Sequence, residues 1–284
     1  MPGVCQKDFP ALAKILILLY YFGKSMTVLG IETSHEQGSI GLCRDGQLLG
    51  EVLFSTELGP GERLLPAIDS LLSLQNIERD QIELIAVALG PGSFTSLRIG
   101  LAVGKGLAQA LHIPLVGVPG MDAYVEKVSF LHGKICVVLP DRRDLVYYGL
   151  YEHTLPIASE MSKTVTALRD ALAQISDLAL VIGPGAERHR AVLEQIAPVA
   201  PAALNQPSGA VIAQLGARKY SQSHQNELWT LEPLYVQQAP PAPYTVPPAR
   251  RIVQTKSGER SSYESTRVHQ TRPGHRRWVQ AHSR

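Results

Sequence analysis

Residues 87–111 read VALGPGSFTSLRIGLAVGKGLAQAL: an apolar strand end, a Gly-Pro-Gly turn, a Ser-Phe-Thr opening and a long helix of small residues. How this stretch is read decides the fold. A glycine turn after a strand leaves the first N–H groups of the next helix open to an anion, assisted by the helix dipole. Ser93 and Thr95 would add hydroxyl donors. The stretch is not a P-loop, because no Gly-Lys-Ser/Thr follows, and Gly90-x-Gly92 has no third glycine at dinucleotide spacing. The competing reading gives Gly90 and Gly92 only tight-turn backbone angles and makes Ser93 the helix cap. The residues alone leave both open.

The helix behind the loop carries one stripe of Phe94, Leu97, Leu101, Ala108 and Leu111, and a second of Ile99, Val103, Gly106 and Ala110. Gly100, Gly104 and Gly106 lie between them. Each glycine costs roughly 1 kcal/mol against alanine in a helix, so close approach of another backbone is expected. A helix apolar nearly all round is buried on more than one side. One side must meet its own sheet; the other meets a second helix of this chain or of a partner.

Outward from this stretch, residues 27–33 and 38–56 alternate like antiparallel strands, with Asp45-Gly46 as the hairpin turn. Leu64, Leu65, Ile68, Leu71 and Leu72 have helical spacing, with Pro66 near that helix start. Residues 82–90 read as a strand covered on both faces, and 112–120 as another. The first half is β-β-β-α-β-α-β, which suits a mixed sheet flanked by helices. The second half begins again in the same way. Residues 134–153 read strand, turn at 140–144, strand; 162–175 reads as a helix; and 178–196 repeats strand, Gly-Pro-Gly, helix. A closing helix follows at about 208–222, with Ser208 as N-cap. The recurrence points to a duplicated architecture. Expected boundaries are 1–25 for an N-terminal extension, 26–120 for the first lobe, 121–238 for the second lobe with the closing helix, and 239–284 for a tail.

The net charge of +2 divides unevenly: the tail carries eight Arg and one Lys against two Glu, residues 1–25 add +2, and 26–238 hold −7. An acidic body is a poor non-specific nucleic-acid binder, because phosphate affinity comes mainly from Lys and Arg. The proline- and arginine-rich tail reads as disordered. The apolar run at 11–22 is too short to span a bilayer, and Met26 is the expected natural start. A genuine extension or a membrane anchor are the alternatives. Cys5, Cys43 and Cys136 show no C-x-x-C spacing, which fits a reducing cytoplasm better than a disulfide framework or zinc site. No H-E-x-x-H or G-x-S-x-G occurs, so neither a zinc protease nor an α/β-hydrolase triad has an anchor. Glu32 in GIETS follows a strand, where a lone carboxylate holds a cation or simply closes a turn.

With these residues in view, the chain resembles the TsaB (YeaZ) family, the dimerization subunit of the bacterial machinery that makes tRNA threonylcarbamoyladenosine, over about residues 26–238. GPGSFTSLRIGLAVGKGLA carries the resemblance most specifically; LGIETS, where the family commonly has Asp at the place of Glu32, ERLLPAID, PDRRDLVYYGLY and IGPGAER add order and spacing. The resemblance implies an α/β, two-lobed actin-like ATPase fold (the ASKHA class of sugar kinases, Hsp70 and actin). It implies a non-catalytic scaffold for TsaD, a paralogue, during transfer of the threonylcarbamoyl group from its adenylate to N6 of adenosine 37 in ANN-decoding tRNAs. TsaD and TsaE would be the partners and tRNA an indirect one, with no membrane and a cytoplasmic location. No cofactor is required of this chain; ATP and a metal ion belong to the partner subunits. The partner-facing set is Leu64, Leu65, Ile68, Leu72, Phe94, Leu97, Arg98, Leu101, Gly104 and Leu107. Residual phosphate or nucleotide contacts would fall to Glu32, Thr33, Gly90, Gly92, Ser93 and Asp141. No metal ligands and no catalytic residues are assigned. An ASKHA-type nucleotide-binding enzyme, a peptidase, and a self-associating module that homodimerises when alone are the alternatives.

Overall fold

The computed structural model describes residues 25–56, 60–159 and 163–234. The expected N-terminal extension, apart from Ser25, and the basic tail lie outside the described residues.

The alternation read in the first strands becomes an antiparallel meander of β1 (Thr27–Glu32), β2 (Gln37–Arg44) and β3 (Gln47–Ser55). Asp45 and Gly46 make the hairpin turn with φ of 53° and 76°, the left-handed pair that a two-residue hairpin needs. β4 (Leu84–Ala88) and β5 (Leu115–Val118) then pair in parallel, giving the order β3-β2-β1-β4-β5. Helix α1 (Pro60–Leu74) connects β3 to β4, and α2 (Phe94–Leu111) connects β4 to β5. α1 begins at Pro60, so Pro66, expected near the helix start, lies well within it and supplies no N–H to the Glu62 carbonyl.

After α3 (Gly120–Glu126) the plan repeats. β6 (Lys134–Pro140), β7 (Leu145–Glu152) and β8 (Leu155–Ser159) form an antiparallel meander, and β10 (Leu178–Ile182) pairs in parallel with β6. The short β9 (Lys163–Thr164) pairs with β7, and α4 (Val165–Leu172) leads to β10. The order β8-β7-β6-β10 matches β3-β2-β1-β4, strand for strand. In both sheets the parallel strand runs into Gly-Pro-Gly and a helix, here α5 (Pro184–Arg188) and then α6 (Arg190–Leu193). The fold is the expected two-lobed, actin-like α/β architecture of mixed sheets flanked by helices.

The closing helix α7 (Gly209–Ser223) has Ser208 as N-cap, its hydroxyl accepting from Val211 N at 3.2 Å. It was expected within the second lobe; instead it crosses β1, β2, β4 and β5 of the first sheet. The sheet is therefore covered on both faces. Leu29, Ile31, Ile85 and Val87 pack under α1 and α2, while Val28, Ala86 and Val116 pack under α7 with Ala210, Ile212 and Ala213. Glycine permits the approach: a Cβ on Gly30 would lie 2.0 Å from Gly209 O, and one on Gly41 2.1 Å from Ala210 N.

β5 is an edge strand whose free backbone groups are taken by α7 and the segment after it. Leu115 N donates to Asn226 Oδ1 (3.1 Å), Gly117 N to Glu227 Oε2 (2.8 Å), and Lys219 Nζ to Gly117 O (2.9 Å). An edge so occupied cannot template pairing with another chain. No helix among the described residues is long and apolar enough to cross a membrane.

Candidate functional site

The Gly-Pro-Gly loop meets the turn that follows β1. Ser93 N donates to Ser34 O at 2.7 Å, and Leu97 N returns to Ser93 O at 2.9 Å. Ser93 Oγ caps α2 by accepting from Ser96 N at 3.5 Å. A Cβ on Gly92 would lie 2.3 Å from Ser34 O, and Gly90, at φ 93°, presents its carbonyl to Gly120 N at 2.8 Å. Thr33 Oγ1 donates to Ser96 O at 2.9 Å. The loop thus joins β1, α2 and α3, and its Ser93 N–H is committed within the chain.

Glu32 is buried at the end of β1 and accepts from Ser34 N at 2.6 Å. Burial raises its pKa, against lowering by Ser34 and by the Lys127 charge. Lys127 itself is pushed down to about 8, first by burial, with Glu51 and Glu32 opposing. Its Nζ donates to the carbonyls of Leu204 and Gln206, tying the end of α3 to the segment that leads into α7. Asp141 is partly buried in the β6–β7 turn and is hydrogen-bonded by Tyr147. Of the six residues expected to touch phosphate, Glu32, Thr33, Gly90, Gly92 and Ser93 form one cluster, bonded within the chain to Ser34, Ser96, Leu97 and Gly120. Asp141 belongs to the other lobe.

The partner-facing set divides by burial. Leu64, Ile68, Leu72, Leu97 and Leu101 are buried hydrophobics, and Gly104 is buried as well. All six are corrected to core positions: α1 and α2 turn them onto their own sheet. A Cβ on Gly104 would lie 2.5 Å from Val87 Cγ2, and one on Gly100 2.2 Å from Thr33 Oγ1, so these glycines serve contacts inside the lobe. Gly106 alone of the three faces open space. Leu65 (46% exposed), Phe94 (51%) and Arg98 lie on the outer surface, with Leu107 partly buried. The Arg98 guanidinium carbon sits 3.7 Å from the Phe94 ring centroid.

A second feature was not anticipated. A cleft of about 620 Å³ is lined by His35, Glu36 and Ser55 of the first lobe, Pro140 and Arg188 of the second, and the segment at Asn205. Arg188 and Glu36 form an ion pair across it at 2.6 Å. Burial, with the Arg188 charge adding, pushes the His35 pKa down to about 4. The residues are too far apart in the chain for spacing to reveal them. The repeated Gly-Pro-Gly unit was the available signal, since it puts Arg188 on the helix that follows the parallel strand of the second sheet.

The family model for TsaD, described as tRNA N6-adenosine threonylcarbamoyltransferase, matches residues 61–201. The chain is 28% identical over 202 residues to the tRNA threonylcarbamoyladenosine biosynthesis protein TsaB of Bacillus subtilis, covering 68% of this chain and 88% of that one. It is 25% identical to the protein of the same name from Haemophilus influenzae, covering 75% and 94%. Among solved structures, YeaZ from Pseudomonas aeruginosa superposes with a TM-score of 0.61 at 24% identity, covering 74% of this chain and 99% of that one.

Proposed function

Because this chain belongs to the TsaB (YeaZ) family, and so has a role in tRNA threonylcarbamoyladenosine biosynthesis with TsaD, we propose that it acts there as a non-catalytic scaffold. In this reading it holds TsaD in an active, paired form while TsaD transfers the threonylcarbamoyl group to N6 of adenosine 37. TsaE joins the assembly, and tRNA is met indirectly. ATP and a metal ion belong to the partners. In this reading the chain works in the cytoplasm alongside its partners.

One observation carries the scaffold reading: the outer surface of the α1–α2 layer keeps large apolar side chains in solvent. Leu65 on α1 and Phe94 on α2 are each about half exposed, and Leu74 is 72% exposed. An apolar surface on a two-helix layer is suited to a helical partner, and burying the exposed half of such a side chain contributes roughly 1 kcal/mol. The lack of a side chain at Gly106, which faces open space, lets a partner helix come close.

The test is Leu65→Asp combined with Phe94→Asp. Binding to TsaD should weaken about tenfold or more, and modification of tRNA by the reconstituted subunits should fall with it. The melting temperature should hold, since both positions are on the surface. TsaD co-elution and modification at the unaltered level would refute the interface. Leu101→Glu is unsuited to the question, because it places a charge in this chain's own core.

A further inference from the structure

The cleft between the lobes presents an imidazole with hydrogen-bonding capacity to spare. His35 is 8% exposed and lines the cleft, and neither ring nitrogen makes a hydrogen bond among the described residues. Its backbone carbonyl, by contrast, accepts from Thr56 Oγ1 at 2.6 Å. A neutral imidazole offers one donor and one acceptor, and those of His35 are open to a ligand that enters the cleft. The ring stays neutral at physiological pH, its pKa being held near 4 by burial and by Arg188.

The charges around it narrow what could be received. Glu187 is already satisfied: its two oxygens accept from Arg190 at 3.2 and 2.7 Å and from Asn205 Nδ2 at 2.7 Å. Asn205 is committed as well, with Nδ2 also reaching Ala200 O and Oδ1 accepting from Gly183 N. Arg188 is different. Its single hydrogen bond runs from Nη2 to Glu36 at 2.6 Å, leaving the rest of the guanidinium fork unused. The Glu36 side chain is 76% exposed, free to turn outward. The open capacity is thus a planar cationic fork beside a neutral imidazole donor. One arginine flanked by Glu36 and Glu187 is a poor seat for a polyphosphate, whereas a single carboxylate matches the fork.

We propose that this cleft binds a monocarboxylate, which takes the Arg188 fork in place of Glu36 and accepts a hydrogen bond from the His35 imidazole. Two sources present that group: a small organic acid, or the C-terminal carboxylate of a peptide chain. The inference rests on the cleft alone and stands apart from the association with TsaD.

The test titrates the full chain with N-acetylglycine, acetyl-tetra-alanine and the C-terminal amide of that tetrapeptide, following the side-chain resonances of His35 and Arg188. Both carboxylates should give saturable shifts and the amide none. Tighter binding of the tetrapeptide assigns a chain terminus, and equal binding a small acid. Arg188→Gln should weaken binding about tenfold to a hundredfold, the range for charge-assisted hydrogen bonds. Arg188→Lys should recover only part of it, since an ammonium lacks the fork. Glu36→Gln should tighten binding severalfold by releasing Arg188, with thermal stability changed little because that side chain is exposed. The proposal is overturned if neither carboxylate saturates, if the amide binds as well as the acid, or if pyrophosphate binds more tightly than either.

Discussion

At neutral pH the His35 imidazole is uncharged, because desolvation and the neighbouring Arg188 bring its pKa from 6.5 to about 4. The folded state therefore holds fewer protons than the unfolded chain between those values, and stability must rise with pH across that window. Above pH 6.5 the folded state is unaffected; below it stability falls, levelling out beneath pH 4. The full shift corresponds to about 3 kcal/mol at 1.36 kcal/mol per unit. Urea unfolding between pH 4 and 7 should show this slope, and His35→Asn should flatten it. An equal slope in the variant would place the acid sensitivity elsewhere. Little of this could be read from the sequence. GIETSHEQ marks a turn after a strand, and Glu32 in it draws attention as a carboxylate. Nothing local says that His35 is enclosed by a second lobe whose contributing residues lie more than a hundred positions away.

The elements were far more legible than the faces they present. Strand alternation, the Asp45-Gly46 hairpin, both Gly-Pro-Gly units and the Ser93 and Ser208 caps are local signals, and each forms where it was read. Which side of a helix stays open is a tertiary matter. The glycines of α2 invited a partner backbone, yet Gly100 and Gly104 are used against Thr33 and Val87. The close helix approach expected there occurs at α7, on Gly30 and Gly41, where period-2 reading of a strand cannot see it. The two caps also differ in ways their residue type does not disclose. Ser93 accepts one long bond and is exposed. Ser208 caps α7 and also donates to Glu51 Oε1 at 2.8 Å; that oxygen accepts from Ser39 Oγ at 2.8 Å and Ala210 N at 3.1 Å. Removing a cap costs about 0.5–2 kcal/mol, and breaking a bond to a carboxylate adds to this. Ser208→Ala should therefore lower the melting temperature by several degrees, about 2–4 °C per kcal/mol at this size. Ser93→Ala should lower it by less. Equal losses in calorimetry would deny Glu51 its role in seating α7.

For the molecule as a whole, the first lobe is finished by the segment that follows the second, residues 205–234. α7 covers one face of the first sheet, Asn226 and Glu227 close the β5 edge, and Leu228 and Leu231 join the core on the opposite face. The segment is a strap around a sheet, which the expected boundary near 120 could not express. Ile212, Leu228 and Leu231 are all buried, and each contributes roughly 1.5–3 kcal/mol. Together they approach the 5–15 kcal/mol by which an ordinary protein is stable. A chain ended at Leu204 should consequently lose the first lobe rather than a surface helix. It would also strip the cover from Val28, Ala86 and Val116 and open the β5 edge to other chains. The expected outcome is dye binding to exposed apolar surface, loss of near-ultraviolet circular dichroism and concentration-dependent aggregation. Adding residues 205–234 as a separate peptide should restore the near-ultraviolet signal, because the glycine-lined seat for α7 is built into β1 and β2. A truncated chain that unfolds cooperatively at the original temperature would show that the lobe closes without its strap.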